Sequence, residues 1–473
     1  MRSDDNTFYR EDDHSLVKRY EKMRREKTRS FFDVHEFENI IDYYLEMNRL
    51  VKASIAVKCG LTQHPGSVSI QIRKANLLID KGKYQQALNL LSRFSVIEPS
   101  NYEIFISIGT ALNLLGETSK AIRNFDHALS LDPDDKDEVA SLIGFSLQEE
   151  GSFDKAVRYF KMAYELNPSR KSYLYEMAFC YDQLGNIKEA ILSYEEFLNH
   201  RPFNDLGWYN LGVAYSRAEN LKNALDAFDY AIALNESNSS AIFNKANILV
   251  SMKKYETAID TFKEFLQLEN DDLKGLLYLA ECYENLGDEQ MALHYYSKAR
   301  KLDPESPELL FGMGMLELKK DNLKDSREYF RKALTFDNEN PDFWYALAKT
   351  YELQNNKLNA IETVLKAIHF DSYEKDYWLF AARLYSETGA INESVKALKR
   401  SLTFLPDEPS IQYQLAIYYF LSNKSSKAYT HFEKGLKKNY DLHRKILKGH
   451  GWILSLKKVE GMINKFKSKS DDF

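Results

Sequence analysis

Trp208-Tyr209-Asn210-Leu211-Gly212-Val213-Ala214-Tyr215, followed a short gap later by Asn223-Ala224-Leu225-Asp226-Ala227-Phe228-Asp229-Tyr230-Ala231, holds the pattern that decides the fold. Gly212 and Ala224 are small residues twelve apart. Phe228 follows Ala224 by four, a spacing that puts the two on one helical face. The pattern recurs along the chain, with small residues at Ala53, Ala87, Ala121, Ala156, Ala190, Ala224, Ala258, Ala292, Ser326, Ala360, Ser394 and Ala428. Every interval is 34 residues except the 35 from Ala121 to Ala156. The extra residue is expected in the polar turn Asp132-Pro133-Asp134-Asp135, because surface loops tolerate insertion.

Twelve residues before these anchors runs a second small series: Ala75, Gly109, Gly144, Ala178, Gly212, Ala246, Ala280, Gly314, Ala348, Ala382 and Ala416. Small side chains on two helices let their axes approach, and a larger one there would overpack the crossing. The aromatic four residues after the anchor is Phe125, Phe160, Tyr194, Phe228, Phe262, Tyr296, Phe330 or Phe432, and it is expected to fill the groove between units. Gly82, Gly116, Gly151, Gly185, Gly287 and Gly389 lie between the two small positions, where a helix end calls for a left-handed residue. Pro65, Pro99, Pro133, Pro168, Pro202, Pro304 and Pro406 stop the second helix. Each unit therefore reads helix, tight turn, helix, stop.

Taken together, the period, the paired small positions, the aromatic and the terminal proline resemble the tetratricopeptide repeat over about residues 34–442, in the manner of a long bacterial-type array. The resemblance implies an all-α fold, a right-handed α-solenoid superhelix of about 12 helix-turn-helix repeats with helical caps. Domain organisation follows: a charged N-terminal segment at 1–33, the array at 34–442, and a basic capping helix and tail at 443–473. The end units depart from the pattern, with Ile41 in a small position, Val57 in an aromatic one, Asn423 in the turn and Tyr440 in place of proline. Terminal repeats are atypical because one face meets a cap or solvent. Charged and amphipathic helices are expected near Leu16–Arg29 and Trp452–Phe466.

Composition agrees with a folded chain: 44% apolar and 28% charged residues, with 10 Pro and 19 Gly in 473. No 18-residue apolar run marks a transmembrane helix. Three widely spaced cysteines, Cys59, Cys180 and Cys282, suit a reducing compartment, and a cytoplasmic location is expected. Outside the repeats too little chain remains for a catalytic domain, and no phosphate-binding loop, zinc helix, nucleophile elbow or paired C-x-x-C occurs. No catalytic, cofactor or metal residue is therefore assigned. His443 and His450 are the one histidine pair at helical spacing, beside two glycines and without a third ligand. Cys180 and Cys282 share one repeat position and read as small core residues.

By resemblance, the first helix of each unit lines a groove through its second, fifth, ninth, twelfth and thirteenth positions. The fifth reads Ile72, Ile106, Ser141, Tyr175, Tyr209, Phe243, Leu277, Phe311, Tyr345, Leu379 and Tyr413, a mostly aromatic ladder. Phe179 stands at the ninth position, with Glu281, Lys349 and Arg383 equivalent to it, and Glu284 at the twelfth. Acids outnumber bases at these positions, so the groove is expected to favour a basic or amphipathic peptide. The set of Lys and Asn with which some chaperone-binding repeat domains clamp a carboxylate is missing; Lys349 and Arg383 are its nearest remnant.

The ends are basic. Residues 17–29 hold seven Lys or Arg against Glu21 and Glu26, and 437–469 hold ten against Asp441 and Glu460, in a chain of net charge −6. Two functions are open at this point: a protein-binding scaffold that uses the groove, or a ribosome- or nucleic-acid-associated factor that docks through the ends.

Overall fold

The computed structural model describes residues 11–470. Residues 1–10 of the expected N-terminal segment and 471–473 of the expected tail lie outside the described residues. Among those described, regular structure is helical and no strand occurs. The chain divides into two units, 1–244 and 245–473, and the division falls inside the helix Ser239–Ser251.

In the first unit the helix Glu11–Glu26 precedes six antiparallel pairs. They are 34–46 with 50–63, 68–80 with 84–97, 102–114 with 118–130, 136–149 with 153–166, 172–183 with 187–200, and 205–217 with 221–234. In the second unit, residues 245–251 of the helix Ser239–Ser251 are followed by the helix 255–268, and then come the pairs 273–286 with 289–302, 307–319 with 323–336, 341–353 with 357–370, 375–387 with 391–401, and 409–421 with 425–438. Short helices Leu442–Ile446 and Gly451–Leu454 and the longer Lys457–Ser470 close the chain. Each unit is an α-solenoid array.

The turns explain why the pairs repeat so regularly. Gly82, Gly116, Gly151, Gly185, Gly287 and Gly389 all have positive φ, between 70° and 82°. Asn48, Glu219, Lys253, Asp321, Asn355 and Asn423 take the same left-handed conformation at the equivalent place, with φ of 51–60°. The turn geometry is thus common to all the pairs, and half of them hold it without glycine, where an L side chain is strained by about 1 kcal/mol. Asp132, in the turn that carries the extra residue, is also left-handed at φ 55°.

All the anchors from Ala53 to Ala428 are fully buried. The aromatic four residues on packs differently from the sequence expectation where its small partner is glycine: there it fills the crossing inside its own pair, while Tyr296 also reaches Gly312 of the next repeat. A Cβ added to Gly109 would lie 2.4 Å from the Phe125 ring, and one at Gly144, Gly212 or Gly314 would lie 2.6–2.8 Å from Phe160, Phe228 or Phe330. At several crossings the partner sizes are complementary: Ile41 goes with Val57, Ala75 with Leu91, and each crossing glycine with a phenylalanine. Ala178, Ala246, Ala280 and Ala416 go with a full aromatic, so the crossing volume varies among repeats.

Two anchors are serines, and their hydroxyls fare unequally. Ser394 Oγ donates to Ala382 O across the pair at 2.8 Å, whereas Ser326 Oγ is buried without a partner. Ser326→Ala should therefore raise stability by about 1 kcal/mol and Ser394→Ala should lower it by a similar amount. Urea midpoints of the two variants check this, and shifts of the same sign would contradict it.

At the N-terminus Val17, Tyr20 and Met23 of the first helix are buried with Phe32, Phe37 and Tyr44 of the first repeat. At the C-terminus the expected helix over 452–466 is broken. Ser455 Oγ donates back to Trp452 O at 2.7 Å and the chain restarts as Lys457–Ser470, which brings Leu456 and Val459 onto the core of the last repeat.

Candidate functional site: the first-helix face

Within each unit, successive first helices touch: 68–80 meets 102–114 and 102–114 meets 136–149, while 273–286 meets 307–319 and 375–387 meets 409–421. Their outward residues form a continuous face, which is where the sequence placed the candidate groove.

In the first unit that face carries Tyr175, Phe179, Tyr209 and Phe243, all half-buried. Tyr175, Tyr209 and Phe179 each have one edge in the packing. Tyr175 lies 5.8 Å from Tyr194 and 5.4 Å from Phe197, Tyr209 lies 6.0 Å from Phe228, and Phe179 lies 6.1 Å from Phe153. The Tyr175 hydroxyl accepts from Asn210 Nδ2 at 2.8 Å and the Tyr209 hydroxyl from Asn244 Nδ2 at 3.2 Å. The two hydroxyl contacts tie one repeat to the next, and the rings keep partial exposure.

The sixth position of the first helix also faces this surface, which the sequence reading missed. Asn210 and Asn244 occupy it, as does Glu176, whose carboxyl accepts from Gln148 Nε2 at 3.0 Å and is raised above its usual range chiefly by burial. The recurrence of asparagine at equivalent positions of adjacent repeats was the available signal.

In the second unit Phe311 lies 4.9 Å from Phe343 and 5.6 Å from Phe330, and Tyr345 lies 4.7 Å from Tyr377. Tyr345, Asp376, Leu379, Phe380, Arg383, Ser410, Gln414 and Ile446 line one open cavity of about 340 Å³, so candidates from two repeats meet residues of a third and one from the terminal segment. Phe380 and Gln414 are again sixth-position residues.

Much of the expected charge is committed. Glu284 is buried, accepting from Lys319 Nζ at 2.7 Å and from the Tyr296 hydroxyl at 3.1 Å. It is a brace between repeats, not a groove contact. Arg383 is held by Glu352 at 3.1 Å and Glu387 at 3.0 Å, and Lys349 Nζ sits 4.0 Å above the Tyr345 ring. The pair therefore does not form a carboxylate clamp. In the first unit Arg217 likewise meets Asp182 at 2.7 Å. Glu281 stays reachable by solvent; its carboxyl is pushed up by its apolar surroundings and by the Glu284 charge, against the pull of Lys319.

Tyr413 corrects the expectation outright. It is fully buried, its hydroxyl donating to Asn439 O at 2.7 Å and its ring 5.6 Å from Phe432, and the segment after the last repeat packs on its helix. Ile72 and Ser141 at the same repeat position are buried too, whereas Tyr175, Tyr209, Phe243, Phe311 and Tyr345 are half-buried.

At the basic ends, Arg19 pairs with Glu36 at 2.7 Å and lies 4.3 Å above the Phe32 ring, and Lys52 reaches Glu21 at 2.5 Å. Lys438 pairs with Asp407 and Lys465 with Glu433, the latter at 4.0 Å. Cys180 and Cys282 are buried between helices, and burial pushes both thiols up to about 12. His443 is buried with its Nδ1 against Tyr440 O. Among the described residues no group of three His, Cys, Asp or Glu could hold a metal ion, and no helix is long and apolar enough to cross a membrane.

Comparison with known proteins bears on this architecture. Tetratricopeptide repeat models match residues 78–97, 102–135, 181–239, 239–272, 273–306, 290–341 and 311–377, together more than half of the chain. A stretch of 116 residues, 23% of this chain, is 27% identical to anaphase-promoting complex subunit 3 of Dictyostelium discoideum and spans 12% of that protein's length. Among solved structures, a tetratricopeptide repeat protein from Parabacteroides merdae is similar over 52% of this chain and 98% of its own, at 16% identity and a TM-score of 0.45. The APC/C hetero-tetramer Cut9-Hcn1 is similar over 82% of this chain and 90% of that one, at 14% identity and a TM-score of 0.42. The chain belongs to the tetratricopeptide repeat family, whose fold is typically a non-catalytic scaffold that binds protein partners.

Proposed function

We propose that this chain is a scaffold or adaptor that holds a basic or amphipathic segment of a partner protein against the first-helix face of its repeats. The observation that carries this reading is the cavity where Tyr345, Asp376, Leu379, Phe380, Arg383, Ser410 and Gln414 meet under Ile446. It offers apolar walls for a side chain. Arg383 is already matched by Glu352 and Glu387, so Asp376 supplies the charge left for a ligand. A cation beside an apolar residue is the complement. Affinity would come from many half-exposed rings along the face rather than from one decisive contact.

The test uses charge reversal at exposed positions, which spares the packing. Partners captured by the full chain are identified by mass spectrometry and their binding is compared with that of an Asp376→Lys, Glu281→Lys variant. The variant should keep the parent circular dichroism spectrum and lose affinity by about ten-fold or more. A folded variant that retains every partner at parental affinity would sink the reading.

A further inference from the structure

Second helices of successive pairs stand farther apart than first helices, which opens clefts on the opposite face. One of these, in the first unit, has a distinct chemistry. Helix Ile187–His200 lines it with Glu195, Leu198 and Asn199, and helix Leu221–Leu234 with Asn223, Asp226, Ala227 and Tyr230. Trp208, Leu211 and Tyr215 of the intervening helix Asp205–Arg217 form its floor, and the cavity measures about 520 Å³.

The spacing explains why these side chains meet. Glu195 and Asn199 are four apart, as are Asn223 with Ala227 and Asp226 with Tyr230, so each helix turns one face into the cleft. Trp208 is fixed by its indole N–H, which donates to Pro202 O at 2.8 Å. Tyr230 stacks on it with ring centroids 4.5 Å apart and 25° between planes, yet remains 56% exposed, so the outer face of this pair is open. The Tyr215 hydroxyl donates to Glu195, which anchors that carboxylate at the wall. Burial and Glu195 push the Tyr215 hydroxyl up to about 12, as expected of a phenol whose proton is held by a neighbouring anion.

The lining contains two carboxylates, three aromatic rings and no Lys or Arg. Such a combination attracts a flat cation. The ring faces supply the quadrupole and the acids supply the charge, while a guanidinium can stack and hydrogen-bond at once. We propose that this outer cleft, formed by Trp208, Tyr215, Tyr230, Glu195 and Asp226, is a second binding site that takes an arginine side chain of a partner. It is independent of the first-helix face, and it would let one solenoid engage two segments.

The test uses the full chain with 15N-labelled tryptophan, in which the Trp208 indole signal is assigned from a Trp208→Phe variant. An acetylated, amidated Gly-Arg-Gly peptide should shift that signal saturably. The citrulline peptide of the same shape but no charge should not. Glu195→Gln with Asp226→Asn should weaken the arginine peptide by about ten-fold, with the thermal melt retained as the control for folding. A Trp208 signal that does not move, that moves equally with citrulline, or that responds undiminished in a folded double variant would overturn the assignment.

Discussion

Replacing Gly109 or Gly212 with alanine should destabilise its repeat by about 1–3 kcal/mol, although alanine is the better helix former. A methyl at Gly109 would stand 2.4 Å from the Phe125 ring, and one at Gly212 would stand 2.7 Å from Phe228. Both rings are buried and cannot swing into solvent. Truncation from the other side, Phe125→Ala, should cost more, about 3–5 kcal/mol, because it leaves a cavity in the same crossing. The decisive variant is the double Gly109→Ala, Phe125→Leu. It reproduces the Ala75 and Leu91 pairing of the preceding repeat and should cost clearly less than the sum of its single changes. Urea unfolding combined with amide exchange of the affected helices measures this, since an array of repeats can open locally. Additive costs within about 0.5 kcal/mol would show that the two residues do not share the crossing.

Tyr413→Ala should destabilise the C-terminal repeat and its cap by about 3–5 kcal/mol, whereas Tyr413→Phe should cost only about 0.5–1.5 kcal/mol. The large loss follows from a fully buried ring that meets Phe432 and fills the space over Gly435, where an added Cβ would lie 2.9 Å away. The small loss is that of the hydrogen bond to Asn439 O. Equivalent substitutions at Tyr175 or Tyr209, which are half-buried, should cost less stability than Tyr413→Ala. If amide exchange after Tyr413→Ala stayed unchanged over 409–470, the capping role given to this residue would be lost.

The difference between Tyr413 and its repeat equivalents separates what a periodic sequence can show from what it cannot. Every copy carries the same local instruction. Small residues twelve apart, a left-handed turn and a stop are matters of backbone geometry and side-chain volume within about thirty residues, so the helix pairs are legible directly from Gly212, Ala224 and Phe228. Even the six turns without glycine follow, because the period imposes the turn where Glu219 and Lys253 would not have suggested it.

The candidate site was legible only as a register. Sequence position told that Tyr345, Lys349, Arg383, Glu281 and Glu284 share one face, since helical periodicity assigns faces. It could not tell which of them remain available. Glu284 is consumed by Lys319, Arg383 by Glu352 and Glu387, and Tyr413 by the cap, and each of those partners comes from a neighbouring repeat, a neighbouring turn or the terminal segment. Whether a charge faces solvent or an opposite charge depends on the spacing of helices that the repeat pattern leaves equivalent. The sequence by itself determined the repeat, the number of helix pairs and the small-residue crossings. Only the tertiary structure decided that the aromatic completes its own pair, that most groove charges are internally matched, and that an acidic aromatic cleft opens between second helices. The physical reason is that local volume and backbone strain act along the chain, while charge pairing and burial are settled between chain segments brought together by packing.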